Sequence, residues 1–290
     1  MFAGSSVAIV TPFKNGRVDE RALGDLIEFQ IGNGTDGIVP CGTSGESATL
    51  TYEEHDRVIE FTVEAAKGRV PVIAGTGSNS TDEAITLTKH AKKAGADGAL
   101  LICPYYNKPT QEGLYRHYKA IAEAVDIPLV LYNIPSRTSV NMLPTTVARL
   151  SSIHNIVAIK EGAGSLGQVS EIIQACGDRI TVLAGDDALT LPMMAVGAKG
   201  VITVTANIAP ADMAALVDAC VAGQFEQAKT WHYKLYPLFT ALFHETNPIP
   251  VKEALGMMGK IQPELRLPLC PLSTENREKL AHALKDYRLI

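Results

Sequence analysis

Apolar and polar positions alternate along this chain on two scales. Short runs rich in β-branched residues are separated by longer segments whose apolar residues recur at helical spacing. The runs are "SVAIVTPF" from Ser6, "GIVP" from Gly37, "VPVIAG" from Val70, "GALLICPYY" from Gly98, "IPLVLYN" from Ile127, "IVAIKEG" from Ile156, "ITVLAGDD" from Ile180 and "GVITVTAN" from Gly200. Most lie about one βα unit apart. They are apolar along nearly their whole length, as strands are when both faces of a parallel sheet are covered. Between them run helical patterns such as "TDEAITLTKHAKKAGADG", for which Thr81 or Asp82 is the expected N-cap and Gly95 the stop.

Eight such units ending near Ala222 predict an α/β chain whose residues 1–222 form a (β/α)8 TIM barrel. From Gly223 the pattern is helical only, through "FEQAKTWHYKLYPLFTALF", "PIPVKEALGMMG" and "STENREKLAHALKDY". Residues 223–290 are therefore expected to be a C-terminal helical appendage joined without a linker.

Composition narrows the function classes. The chain has 290 residues, 46% of them hydrophobic, enough for a large core. No apolar run approaches the ~18 residues of a membrane span. The N-terminus lacks the pattern of a secretory signal, and Val7–Val10 reads as strand. A net charge of -5 without a basic block argues against nucleic acid as a partner. An anionic small molecule stays open, because that depends on local cations. The five cysteines, Cys41, Cys103, Cys176, Cys220 and Cys270, show no disulfide or zinc spacing, which fits a reducing cytoplasm. The seven histidines are scattered without metal-ligand spacing, so no metal is expected.

Every distinctive polar cluster follows one of the runs: "CGTSGES", "GTGSNS", "PYYNKP", "YNIPSRT", "KEGAG", "GDD" and "TAN". In a barrel this places them together at the carboxyl rim, where barrel enzymes build their active sites.

The sixth run poses a choice. Gly162, Gly164 and Gly167 form a literal G-x-G-x-x-G, with Asp187 about 20 residues on, as in dinucleotide sites. But Lys160 and Glu161 stand between strand and glycines, and the fingerprint belongs to the first βαβ of a doubly wound sheet, not a sixth unit. No cofactor is expected. Lys160 is the sharper feature. A strand-end lysine is ordinarily solvated or paired with a neighbour such as Glu161. On a period-2 strand, however, Lys160 shares a face with Ile156 and Ala158. If that face lines the barrel, burial favours the neutral amine, which attacks carbonyls.

Imine chemistry also needs a proton shuttle and an anion clamp. Tyr132, ending the fifth run, offers a phenol, and Arg137 in the same loop offers a planar fork for a carboxylate. Thr43 and Ser44 offer adjacent hydroxyls. Each alone is ordinarily a packing or surface residue; together they favour imine chemistry.

Nearly end to end, through "GTSGESATL", "PYYNKPTQEGLY", "LYNIPSRT", "IKEGAG", "AGDDALTLP" and "NPIPVKEAL", the chain resembles the pyruvate-dependent class I aldolase family. The resemblance implies condensation of pyruvate with aspartate 4-semialdehyde, opening the route to diaminopimelate and lysine. It assigns Lys160 to the Schiff base, Tyr132 to proton transfer, Thr43 to a hydroxyl relay, and Tyr106 to a relay phenol lent by a neighbouring subunit. Ser44 and the Ile202 backbone would bind pyruvate, and Arg137 the semialdehyde carboxylate. Ser47, Ala48, His55, Asn79, Glu83 and Tyr105 match an L-lysine inhibitor pocket. A cytoplasmic homotetramer is implied.

Three departures stand out. Ser44 replaces a threonine common in the family, Tyr52 stands where some lysine-regulated members have histidine or another polar residue, and Gly162-Ala163-Gly164 lacks a hydroxyl common there. The last has no explanation in the sequence. The alternatives are a sister aldolase acting on a sugar acid, of N-acetylneuraminate or keto-deoxy-gluconate type, and a catalytically silent lysine-binding regulator. The Arg137 clamp and the paired tyrosines oppose the first, and intact Lys160, Tyr132 and Thr43 oppose the second.

Overall fold

Eight parallel strands hydrogen-bond in the spatial order second, first, eighth, seventh, sixth, fifth, fourth, third in a computed structural model that describes residues 2–290. They are Gly4–Ala8, Gly37–Val39, Ile73–Gly75, Gly98–Ile102, Leu129–Asn133, Ile156–Glu161, Thr181–Ala184 and Gly200–Thr203. The remaining gap, between second and third strands, is closed by a parallel bridge from Ile38 to Val72. Ile38 N–H donates to the Pro71 carbonyl and Gly75 N–H to that of Pro40, each at 2.9 Å. The sheet is thus a closed barrel, as the run spacing predicts. Gly75 permits the closure: a Cβ there would lie 2.2 Å from the Cys41 carbonyl oxygen.

Two apolar clusters show why the strands lack alternation. Ala8, Val39, Ile73, Leu100, Val130 and Ala158 fill the barrel, while residues such as Val7, Ile38, Leu101, Leu131 and Ile159 pack outward against the helices. Each fully buried aliphatic side chain contributes about 1.5–3 kcal/mol.

Two local expectations are corrected. The helix Thr81–Ala94 is capped by Ser80, whose hydroxyl accepts from Glu83 N–H; the Thr81 hydroxyl is taken up by His117 Nδ1 at 2.9 Å. Gly95 does end that helix, at a left-handed φ of 89°. Ile156 does not share the face of Lys160. The pairing of the fifth and sixth strands slips between Leu129 and Val130, so Leu129 faces Ile156 but Val130 faces Ala158. One extra residue on the sixth strand turns Ile156 to the outer cluster and leaves Ala158 inside.

After the helix Pro210–Val221 come Phe225–Ala241, Ile249–Met257 and Thr274–Asp286. Their buried residues, including Leu235, Val251 and Leu280, join the outer apolar cluster of the barrel. Arg266, between the last two helices, forms a bidentate pair with Glu54, with both contacts at 2.6 Å. Glu54 also completes the Thr51 capping box of the helix Tyr52–Ala66, so this segment is tied to the rim beside the second strand. No helix among the described residues is long and apolar enough to cross a membrane.

Candidate active site

Lys160 is the fifth residue of the sixth strand and is only 5% exposed. It pairs in register with Tyr132, and its Nζ lies 4.3 Å from the centre of the Tyr132 ring. Tyr132, Ala158 and Ile202 belong to the interior cluster, and the amine lies on the interior wall beside the fifth strand. Among the described residues no carboxylate lies within ion-pair distance of Lys160. Pairing with Glu161 is excluded by geometry. The Glu161 carboxylate turns to the opposite side, accepting from Asn133 Nδ2 at 3.0 and 3.1 Å, Gln168 Nε2 at 3.1 Å and Ala163 N–H at 2.6 Å. Burial raises its pKa, and these donors offset part of that cost.

The glycine turn after Lys160 is a packing device. Gly162 N–H donates to the Asn133 carbonyl at 2.8 Å, and a Cβ on Gly162 would lie 2.9 Å from Ile134 Cδ1. Asp187, which a dinucleotide reading would assign to a ribose, is buried. It accepts from Thr205 N–H at 2.7 Å, Thr205 Oγ1 at 2.6 Å and Val204 N–H, joining the seventh and eighth loops.

Beside the second and third strand ends opens a cavity of about 700 Å³. Thr43 and Arg137 line one part, together with Asn247 and Pro248. Arg137 Nη2 donates to the Asn247 carbonyl at 2.9 Å, and Arg137 has no carboxylate partner among the described residues. Ser44 is buried, and its Oγ accepts from Asn247 Nδ2 at 3.0 Å. An acidic chain thus keeps the basic side chains of Lys160 and Arg137 without carboxylate partners among the described residues, which suits an anionic ligand. Asn247 is the residue sequence reasoning missed. It touches Ser44 and Arg137 at once, and the only signal was its presence in "NPIPVKEAL".

The other part of the cavity is lined by Ser47, Ala48, His55, Glu83, Tyr105 and Tyr52. Asn79 is not among the lining residues; its carbonyl accepts from Asn107 Nδ2 at 2.8 Å. The Tyr52 and Ser78 hydroxyls both donate to Glu83, in very short contacts, and hold its carboxyl below the usual carboxylate range, Ser78 having the larger effect. His55 Nε2 lies 2.9 Å from the Gly75 carbonyl, and burial pushes the imidazole pKa down. Tyr106 stands apart. It is 91% exposed, at a left-handed φ of 67°, and lines no part of the cavity.

A family model described as the dihydrodipicolinate synthetase family matches residues 1–287. The chain belongs to the dihydrodipicolinate synthetase family. A 4-hydroxy-tetrahydrodipicolinate synthase of Geotalea uraniireducens is 66% identical over the whole of both chains. The dihydrodipicolinate synthase of Acinetobacter baumannii, in a crystal structure with pyruvate, superposes with a TM-score of 0.98 at 52% identity over 100% of each chain. That of Cyanidioschyzon merolae, with lysine bound, gives 0.96 at 41% identity, covering 100% of this chain and 99% of that one. Family, barrel fold and reaction class agree with the sequence reading. Members of this family carry out a Schiff-base lyase step of lysine and diaminopimelate biosynthesis, and this chain is such an enzyme.

Proposed function

We propose that the chain joins pyruvate to L-aspartate 4-semialdehyde through an imine on Lys160, giving 4-hydroxy-tetrahydrodipicolinate. The observation that carries this reading is the buried, carboxylate-free Lys160 against the Tyr132 ring. The neutral amine adds to the keto carbon of pyruvate and water leaves, forming the imine. Loss of a methyl proton gives an enamine, the imine nitrogen accepting the electron pair. The enamine carbon attacks the aldehyde, whose oxygen takes up a proton; the amino group of the semialdehyde then adds to the imine carbon and expels the Lys160 amine, which closes the ring and frees the enzyme. Tyr132 and Thr43 move these protons, with Tyr106 completing the relay from a neighbouring subunit.

Ser44 and the Ile202 backbone hold the pyruvate carboxylate, and Arg137 holds that of the semialdehyde. Pyruvate in the Acinetobacter relative supports the first assignment at the level of substrate. Residues 1–222 are the catalytic barrel, and 223–290 the helical region that buttresses it. The assembly is a cytoplasmic homotetramer. L-Lysine inhibits through the part of the cavity lined by Ser47, Ala48, His55, Glu83 and Tyr105, with Asn79 beside it. The lysine-bound Cyanidioschyzon relative supports lysine as a ligand.

Purified protein given pyruvate and a panel of aldehydes tests the reading. Consumption of aspartate semialdehyde with pyruvate is the expected result. Consumption of an amino-sugar or a three-carbon aldehyde in its place would move the chain to the sugar-acid aldolases.

A further inference from the structure

The turn from Cys41 to Glu46 carries Thr43 and Ser44 but is not itself a regular element. Cys41 and Glu46 both adopt left-handed backbone, at φ of 54° and 51°, which costs a non-glycine residue about 1–2 kcal/mol. Gly45 is pressed to within 3.0 Å of Cys41 N at the position of an added Cβ. Contacts from distant parts of the chain hold this turn. Thr11 Oγ1 donates to the Gly45 carbonyl at 2.7 Å. Lys252 Nζ donates to the Thr11 carbonyl at 2.9 Å and to Glu46 Oε1 at 2.5 Å. Arg266 N–H donates to Glu46 Oε2 at 3.2 Å.

Lys252 is wholly buried, Glu46 is 5% exposed, and the ammonium lies 4.1 Å from the centre of the Phe13 ring. A buried pair of this kind gains little net stability, because desolvation offsets the attraction. It does fix position. Lys252 also lies five residues beyond Asn247, whose side chain donates to Ser44 and whose carbonyl takes Arg137.

We propose that Thr11 and Lys252 are positioning residues which, acting through Gly45 and Glu46, hold the Thr43–Ser44 hydroxyls in the geometry that imine formation with pyruvate requires. This rests on the reading of that turn as the pyruvate site.

The test compares Thr11→Val, which removes the hydroxyl at nearly constant shape, with Thr11→Ser, which keeps it. The readout is the rate of borohydride trapping of pyruvate per folded molecule, together with KM for each substrate. Thr11→Val should trap on the order of tenfold more slowly, within the range that misplacing a catalytic group costs. Its KM for pyruvate should rise more than that for the semialdehyde, and Thr11→Ser should recover the wild-type values. The paired change Glu46→Gln with Lys252→Met removes both charges together and should reproduce the Thr11→Val pattern. Wild-type trapping in both Thr11→Val and the paired variant, with only thermal stability reduced, would overturn the proposal. So would equal loss in Thr11→Ser and Thr11→Val. Failure of the wild-type protein to trap pyruvate on Lys160 would instead remove the pyruvate reading on which the proposal stands.

Discussion

Lys160 Nζ lies 4.3 Å from the centre of the Tyr132 ring, and the two residues are direct register partners on adjacent strands. The pairing places amine and phenol on one interior wall, because side chains at paired positions of a parallel sheet point the same way. Glu161 is engaged by Asn133, Gln168 and Ala163, and among the described residues no carboxylate lies within ion-pair distance of the amine. An adjacent ring that excludes water and carries an ionisable hydroxyl suits repeated proton transfer.

Borohydride added with pyruvate should therefore leave a reduced adduct on Lys160, and Lys160→Ala should abolish it and lower turnover by orders of magnitude. Steady-state kinetics should be ping-pong with pyruvate first, and independent of nicotinamide. Peptide mapping of the adduct to another lysine would remove the mechanism.

Arg137→Ala should cripple condensation far more than imine formation. The guanidinium already uses Nη2 on the Asn247 carbonyl and has no carboxylate partner among the described residues, which leaves it available to a substrate carboxylate. A lost charge-assisted contact of this kind costs about 2–5 kcal/mol. The comparison to make is kcat/KM for the semialdehyde against the single-turnover rate of pyruvate trapping. Equal losses in both would assign Arg137 to the first substrate or to the loop.

Much of this was legible in the chain itself. Parallel barrel strands are covered on both faces, so they read as continuous apolar runs, and the polar clusters after them marked the rim. The face of Lys160 was inferred correctly from Ala158 but wrongly from Ile156, because a register slip leaves no trace in a period-2 pattern. Ser80 was overlooked as a cap because Thr81 and Asp82 are equally good cap residues in isolation. The ties made by Asn247, Lys252 and Arg266 were illegible for a stronger reason. Their partners Ser44, Glu46 and Glu54 lie more than two hundred residues away in sequence, and no local spacing encodes them.

Tyr106 is 91% exposed on a left-handed turn and outside the cavity, so the proposed relay role requires a neighbouring subunit. Sedimentation should show a homotetramer built from dimers, and Tyr106→Phe should reduce turnover while leaving the assembly intact. Mixing impaired Tyr106→Phe with inactive Lys160→Ala subunits should raise activity above that of either alone if the phenol acts across an interface. A fully active monomer would refute that role.

L-Lysine should inhibit only partially, since coupling between sites is typically about 1–3 kcal/mol. Glu83→Ala should abolish the effect. Tyr52→Phe should strengthen it, because the Tyr52 hydroxyl now occupies the carboxylate that a ligand ammonium would need. Titrating lysine against initial rate in the three proteins separates these outcomes. Indifference of the wild-type enzyme to millimolar-range lysine would remove the regulatory assignment.

The last expectation concerns stability in acid. His117 is buried against Tyr118, its Nδ1 meets the Thr81 hydroxyl at 2.9 Å, and its Nε2 has no partner among the described residues. Burial pushes its pKa down to about 4, from about 6.5 in the unfolded chain. Between those values the unfolded state takes up the proton and the folded state does not. The contribution is therefore complete above pH ~6.5 and is lost as pH falls towards ~4. At about 1.4 kcal/mol per unit, the loss is on the order of 2–4 kcal/mol per subunit. Glu161 and Asp187 have the opposite sign, since burial raises their pKa values and the folded state then takes up protons first. A difference measurement isolates the histidine. Urea unfolding at fixed protein concentration from pH 7 to 4.5 should show a shallower decline for His117→Gln than for wild type, even if the variant starts less stable. Parallel declines would place the acid sensitivity elsewhere.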